Sequence, residues 1–457
     1  MGKVKVFTGQ AGTGKTFSLM QSLSQIIPER EWLKFETILA LTFMHGSRKR
    51  LETNLKFVKT DFKVRYECST IDSFALTMLN WFRSYIGISK IIRPNEEVVS
   101  ENEFEHFMSL EMVREKTVHL LQFDSVRRFI ENSYPYIVID EFQDCTGTLL
   151  EIVKQLSNST NILIASDQFQ QLSNPESKEG MQWIIESQFE HKNLNESGVK
   201  RTNNNKILVS ATCLRTGVRT EGSKIKIFPC PGGKKGSFPL AEYHLKANIY
   251  YTLACGNIAI ISPTQNSPFV SRLLESLSIP YTYKKAPFKT IGPYNQLLGF
   301  ENSVDIDELV KDLPRSPFTK KALKELKTKN QFILNKCVDR LNKRLSLRGI
   351  DTISYDDFYY VLKQTAHTYD NFYKKENTAK LIFTTVHGAK NREFDNVIVL
   401  WPYNVTSNLM QKRKLLYNAI TRAKQNAVVI IQYKSDKVAD LANDDLFGLI
   451  IDEINNQ

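Results

Sequence analysis

Val4-Lys5-Val6-Phe7-Thr8, then Gly9-Gln10-Ala11-Gly12-Thr13-Gly14-Lys15-Thr16, then Phe17 to Ile26, is the stretch on which the fold turns. The first five residues read as a short buried strand and the last ten as a helix. The eight between them fit G-x-x-x-x-G-K-[ST] in the strand-loop-helix setting that this pattern requires. Gly9, Gly12 and Gly14 let backbone amides curl around a phosphate without Cβ clashes, and the helix N-terminus adds partial positive charge. Gly9, Gln10, Ala11, Gly12, Thr13 and Gly14 are therefore expected to form a phosphate cradle. Lys15 would reach the β- and γ-phosphates, and Thr16 would ligate Mg²⁺. A Gly-rich turn without a ligand is the competing reading, and the flanking strand and helix weigh against it.

A second element agrees. Tyr136-Ile137-Val138-Ile139-Asp140-Glu141-Phe142-Gln143-Asp144 is an apolar strand ending in adjacent carboxylates. Asp140 is placed to hold the metal, and Glu141 to orient and deprotonate an attacking water. A solvated strand end would be the preferred reading were the phosphate loop absent.

At 457 residues the chain exceeds what one core usually organises. Apolar residues make up 42% and charged residues 24%, both near average, so a globular chain is expected rather than a disordered one. The formal charge of +12 points to an anionic partner, nucleic acid first, with a merely solvated basic surface as the alternative. Six scattered cysteines form no C-x-x-C pair, so reduced thiols are expected rather than zinc or a redox couple. No apolar run reaches the ~18 residues of a membrane span. The expected setting is the cytoplasm, without a membrane partner.

Further segments follow in a set order. The strand ending Asp140-Glu141-Phe142-Gln143-Asp144, taken with the phosphate loop, resembles the UvrD/Rep/PcrA group of superfamily 1 helicases. Ile38 to Phe43 is similar to that group's strand ending in Thr-Phe, and Ser69 to Phe74 to its Thr-x-His/Asp-Ser-Phe segment. The resemblance implies single-stranded DNA contacts at Thr42, Phe43, Ser73 and Phe74. Ile162 to Gln170 resembles the motif carrying a γ-phosphate-sensing Gln, here Gln170. Leu214-Arg215-Thr216 resembles Tyr-Arg-Ser, making Arg215 the first expected arginine finger. Thr384 to Phe394 resembles Thr-x-His-x-Ala-Lys-Gly-x-Glu-Phe, implying DNA contacts at Thr385 and His387 and a nucleotide contact at Glu393. Leu416 to Ala423 resembles Tyr-x-Ala-x-Thr-Arg-Ala, making Arg422 the second finger.

The fold so implied is α/β, with two RecA-like P-loop motor domains, parallel sheets flanked by helices, and two mainly helical insertions. The first motor domain takes residues 1–79 and 134–205, and the second takes 206–286 and 379–457. The reduced insertion 80–133 carries Ser100-Glu101-Asn102-Glu103, which fits a capping box. The insertion 287–378 presents Lys320, Lys321, Lys324, Lys327, Lys329, Lys336, Lys343 and Arg344 on a helical stretch, either facing duplex DNA or simply solvated.

Departures from the family pattern bear on specificity. Relatives carry an adenine-reading Gln about twenty residues ahead of the loop, a position this chain does not reach, and Leu214 aligns with their adenine-stacking Tyr. Weak discrimination among nucleoside triphosphates is therefore expected, with ATP the default substrate. Gln171-Leu172-Ser173-Asn174-Pro175 stands where relatives place a base-stacking Tyr and a Trp-Arg pair, leaving Phe43, Phe74 or Phe169 as substitutes. Asn391 replaces a Gly, and Asn tolerates left-handed backbone.

The expected activity is ATP-dependent translocation on single-stranded DNA and at junctions between single- and double-stranded DNA, 3′-to-5′ by resemblance, with unwinding. The alternative is an ATPase switch that senses DNA or nucleotide within a repair or phage-defence complex, beside a nuclease partner, since nothing in the chain resembles a nuclease motif.

Overall fold

Alternation along four strands builds the centre of the first sheet. Val6, Leu39, Leu41, Ile137, Ile139, Ile162 and Ile164 pack on one face, while Phe7, Ile38, Ala40, Val138, Leu163 and Ala165 pack on the other. Apolar residues on both faces require helices on both sides, the condition under which all-parallel sheets are stable. In the computed structural model the strands run in the order Arg65–Thr70, Thr37–Thr42, Tyr136–Ile139, Asn161–Ser166, Val4–Thr8, Glu190–Asn193, and every pairing is parallel. Loops leaving Thr8, Ile139 and Ser166 therefore emerge at one carboxyl edge, where α/β sheets collect their ligands.

The structure describes residues 2–43, 45–58, 64–94, 100–101, 105–172, 177–195, 198–231, 238–264, 267–282, 290–294, 298–300, 313, 317–327, 332–348, 351–368 and 380–452. They divide into two compact units, Met1–Leu298 with Lys380–Gln457, and Gly299–Ala379.

Within the larger unit a second parallel sheet follows the order Lys226–Pro231, Ala423–Tyr433, Phe394–Trp401, Ile258–Ser262, Leu381–Thr385. Its core gathers Ile258, Ile260, Leu381, Ile398, Leu400 and Ile430 against Leu245, Phe269 and Leu273 from the helices Pro239–Thr252 and Pro268–Ser276.

The segment after the helix Ile71–Trp81 is less purely helical than the sequence pattern suggests. A three-stranded sheet, Ile91–Pro94, Glu105–Met108 and Ser100–Glu101, precedes the helices Leu110–Leu120 and Asp124–Ser133. The expected capping box is corrected accordingly. Ser100 and Glu101 pair antiparallel with Phe107 and His106, so they belong to a strand, and Asn102 and Glu103 lie outside the described residues. The helix starts nine residues later, where the Ser109 hydroxyl accepts from the Met112 amide at 3.2 Å. A four-residue pattern cannot outweigh a strand partner that supplies ladder hydrogen bonds.

The smaller unit has its own core, in which Phe318, Leu323, Cys337, Val338, Leu341, Phe358 and Leu362 join the helices Lys320–Glu325, Phe332–Arg348 and Tyr355–Thr368. As a compact unit it runs from Gly299 to Ala379. Part of its basic face is committed to ion pairs, Lys320 with Asp351 at 3.0 Å and Lys327 with Asp339 at 2.5 Å. Lys329 and the Arg344 side chain lie outside the described residues. No helix among the described residues is long and apolar enough to cross a membrane.

Candidate functional site

Glycine geometry shapes the loop between Val4–Thr8 and Lys15–Ile26. Gly12 has φ +81° and Gly14 φ +87°, left-handed conformations that cost L residues energy. The loop closes on itself through Thr13 Oγ1, which donates to Gln10 O at 2.9 Å. Lys15 Nζ donates to Gly9 O at 2.8 Å and Gln10 O at 3.0 Å. Burial lowers the Lys15 pKa, the carboxylates of Asp167, Glu141 and Asp140 oppose that shift, and the cation of Arg201 adds to it.

The strand Tyr136–Ile139 brings its carboxylates to this loop. Thr16 Oγ1 donates to Asp140 Oδ2 at 2.9 Å, and Asp140 Oδ1 accepts from the Glu141 amide at 3.0 Å. Glu141 has φ +61°, left-handed for a residue with a side chain, which turns the chain sharply past Asp140. Burial alone would raise the Glu141 pKa. The cations of Lys390, Lys15 and Arg422 and a hydrogen bond from Gln143 outweigh it and hold the carboxyl below its ordinary value.

A cavity of about 630 Å³ opens over these groups. Gly12, Gly14, Lys15 and Thr16 line its floor, with Asp140, Glu141 and Gln170 beside them. Arg422 and Glu393 reach it from the second sheet, Lys200 and Arg201 from the connector between the sheets. Arg422 is buried, its Nε donating to Asn418 O at 3.0 Å. Arg201 donates to Glu393 Oε1 at 2.9 Å and to Thr421 O at 3.0 Å, and the Lys200 amide donates to Gly12 O at 2.7 Å. Along the outer wall Phe17, 63% exposed, lies with Lys200 Nζ 5.4 Å from its ring centroid.

Other expected residues fall elsewhere. Arg215 does not line the cavity; its Nη1 donates to Asp167 Oδ1 at 2.8 Å and to Tyr417 OH at 3.4 Å. Lys200 and Arg201 are the cations that sequence reasoning missed, although an adjacent Lys-Arg pair just ahead of the helix Asn205–Thr216 was there to be seen. Leu214 is fully buried, so it offers no surface to a base.

Of the expected DNA contacts, Phe74 is corrected. It is 2% exposed, inside the core and edge-on to Tyr134, so no base can stack on it. The Thr42 side chain is buried and Phe43 half-buried, while Ser73 Oγ accepts from Thr70 Oγ1 at 2.8 Å. Thr385 Oγ1 accepts from the Gly388 amide at 3.0 Å, and His387 is exposed. Phe169 packs edge-on to Tyr417 with centroids 5.0 Å apart, and residues 173–176 lie outside the described residues. Asn391 takes φ +64°, the left-handed backbone its side chain tolerates.

The residues present fit a hard divalent cation bound together with phosphate. Thr16 and Asp140 offer two oxygen donors in mutual contact. Among the described residues no group of three or more His, Cys, Asp or Glu could hold a metal unaided, so the remaining ligands would be phosphate and water oxygens, the usual pattern for Mg²⁺.

A glycine-rich loop on a parallel strand, an acidic strand end and cations from a second parallel sheet define a P-loop α/β protein with a nucleotide-type cleft. Residues 1–175 match the family model of an AAA domain, and residues 380–430 match that of the UvrD-like helicase C-terminal domain. The two matches together support a UvrD-like helicase family for this chain. The chain is also similar to the Der GTPase-activating protein YihI of Histophilus somni, at 31% identity over 91 residues. That match spans 20% of this chain and 45% of the other, less than half the length of the curated relative, and transfers no activity.

Proposed function

We propose that this protein is an ATP-dependent DNA translocase and helicase that moves 3′-to-5′ on single-stranded DNA. One observation carries the reading: Thr16, Asp140 and Glu141 share a cavity with Arg201 and Arg422, cations that come from the connector and the second sheet. A triphosphate seated on the loop meets those cations only while the two sheets are close, so hydrolysis and closure are coupled.

In this reading Lys15 binds the β- and γ-phosphates, and Glu141, held ionised, takes the proton of the attacking water. Gln170 lies beside it, where it senses the γ-phosphate, and Arg201 with Arg422 stabilises the charge on the transferred group. Mg²⁺ held by Thr16 and Asp140 would neutralise the β- and γ-oxygens. Glu393, fixed by Arg201, faces the nucleotide. The motor domains divide as 1–79 with 134–205, and 206–286 with 379–457. All six cysteines are free thiols, five of them buried, which suits a reducing compartment such as the cytoplasm.

The test is ATP hydrolysis with and without single-stranded DNA, followed by strand displacement on 3′- and 5′-tailed duplexes. DNA-stimulated hydrolysis with displacement from the 3′-tailed duplex is expected. Stimulation without displacement from either duplex would instead identify a sensing switch within a repair or defence complex, and absence of hydrolysis would end both readings.

A further inference from the structure

We infer that Arg215 is a positioning residue of the nucleotide site, which neutralises Asp167 and thereby sets how strongly that buried carboxylate holds Lys15 away from the phosphates. The inference rests on the nucleotide reading above.

Asp167 stands at the end of the strand Asn161–Ser166 with its side chain shut off from solvent. Oδ1 accepts from Arg215 Nη1 at 2.8 Å and from the Phe169 amide at 3.1 Å. Oδ2 accepts no hydrogen bond and lies 3.8 Å from Lys15 Nζ. A buried carboxylate in this position is shared between two cations, one on the phosphate loop and one on the helix Asn205–Thr216.

The two cations differ in freedom. Arg215 is clamped: its carbonyl accepts from Arg413 Nη2 at 2.8 Å, and its guanidinium lies 5.6 Å from the Phe169 ring centroid and 5.9 Å from that of Tyr417. The Tyr417 hydroxyl, an acceptor for Arg215, also accepts from the Ala11 amide of the loop at 2.9 Å. Lys15 is held by two carbonyls of its own loop and must leave them to meet a phosphate. While Arg215 balances Asp167, Lys15 can leave without stranding a buried charge. Without Arg215, Lys15 becomes the nearest cation to Asp167 and is retained. Nucleotide binding then weakens, while a bound nucleotide is still hydrolysed by the groups in the cavity. A phosphate-contacting arginine would have the opposite signature, a loss of turnover.

Steady-state ATP hydrolysis by the full chain tests this. Arg215→Gln is expected to raise KM about tenfold with kcat within about threefold of the parent, and Arg215→Lys to stay near the parent. Adding Asp167→Asn to Arg215→Gln removes the stranded charge and returns KM to within about threefold of the parent. Asp167→Asn alone keeps an acceptor for the Phe169 amide and lowers KM, so it remains a test if Arg215→Gln does not fold. A hundredfold fall in kcat at unchanged KM, a KM that the double variant does not restore, or a KM raised by Asp167→Asn alone would each overturn the inference. Failure of the nucleotide reading itself shows separately, as undiminished hydrolysis by Lys15→Ala.

Discussion

Thr16 and Asp140 are 124 positions apart in the chain, and the threonine hydroxyl donates to the aspartate Oδ2 at 2.9 Å. The contact joins the first turn of one helix to the end of a strand two places away in the sheet. It sets two oxygens where a divalent cation on a triphosphate would need them. Asp140→Asn, which retains size but not charge, is expected to lower kcat for ATP hydrolysis by about a hundredfold and to weaken Mg²⁺ dependence. A Mg²⁺ titration of the hydrolysis rate checks both.

Glu141 is ionised by its surroundings and strained in its backbone. Glu141→Gln is expected to reduce kcat by about 10²–10⁴-fold with nucleotide binding retained. Full hydrolysis in that variant would remove Glu141 from the role of base. Glu141→Gly relieves the left-handed backbone, so its melting temperature should equal or exceed that of Glu141→Gln.

Lys390 and Asp144 form a buried ion pair that ties the second sheet's loop to the end of the acidic strand. Lys390→Met leaves a carboxylate in a dry place without its main cation and is expected to destabilise the larger unit by about 3–5 kcal/mol. Lys390→Met with Asp144→Leu should cost less than the single change. Urea unfolding of the parent and the two variants measures the difference.

Selectivity for the base is expected to be weak. Leu214 is buried, and the cavity wall offers the flat, exposed ring of Phe17 with Lys200 beside it, contacts that favour any base over none. ATP and GTP should be hydrolysed at rates within about a hundredfold, and Phe17→Ala should raise KM about tenfold for both, the scale of one lost stacking contact. A larger effect on ATP than on GTP would mean that the base is read elsewhere.

His244 stacks on Phe228 at 4.1 Å, and burial pushes its pKa down from 6.5 to about 4. As pH falls below 6.5 the unfolded chain takes up the proton first, so folding stability is lost between about pH 6.5 and 4 and levels off below. Above pH 6.5 this residue makes no pH-dependent contribution. Melting curves across that window should show the parent losing ground to His244→Phe, which keeps the stack and cannot titrate.

What the sequence determined by itself is what neighbouring residues decide. Gly12, Gly14, Lys15 and Thr16 fix a phosphate loop because backbone freedom and helix start are local properties. Apolar runs such as Ile137 to Ile139 announce strands buried on both faces for the same reason. The order of the remaining motifs was enough to point to the family that the domain matches support. Tertiary structure decided which side chains meet. Arg215 and Arg201 are both arginines near the start of the second sheet, but the packing of helix Asn205–Thr216 against Leu409–Ile420 turns the first toward Asp167 and leaves the second in the cavity. Phe74 sits in a motif associated with DNA yet is swallowed by the core, and Ser100 forgoes a helix cap because Phe107 offers it a strand partner. Each of these outcomes depends on contacts between residues distant in the chain, whose energies no local pattern contains.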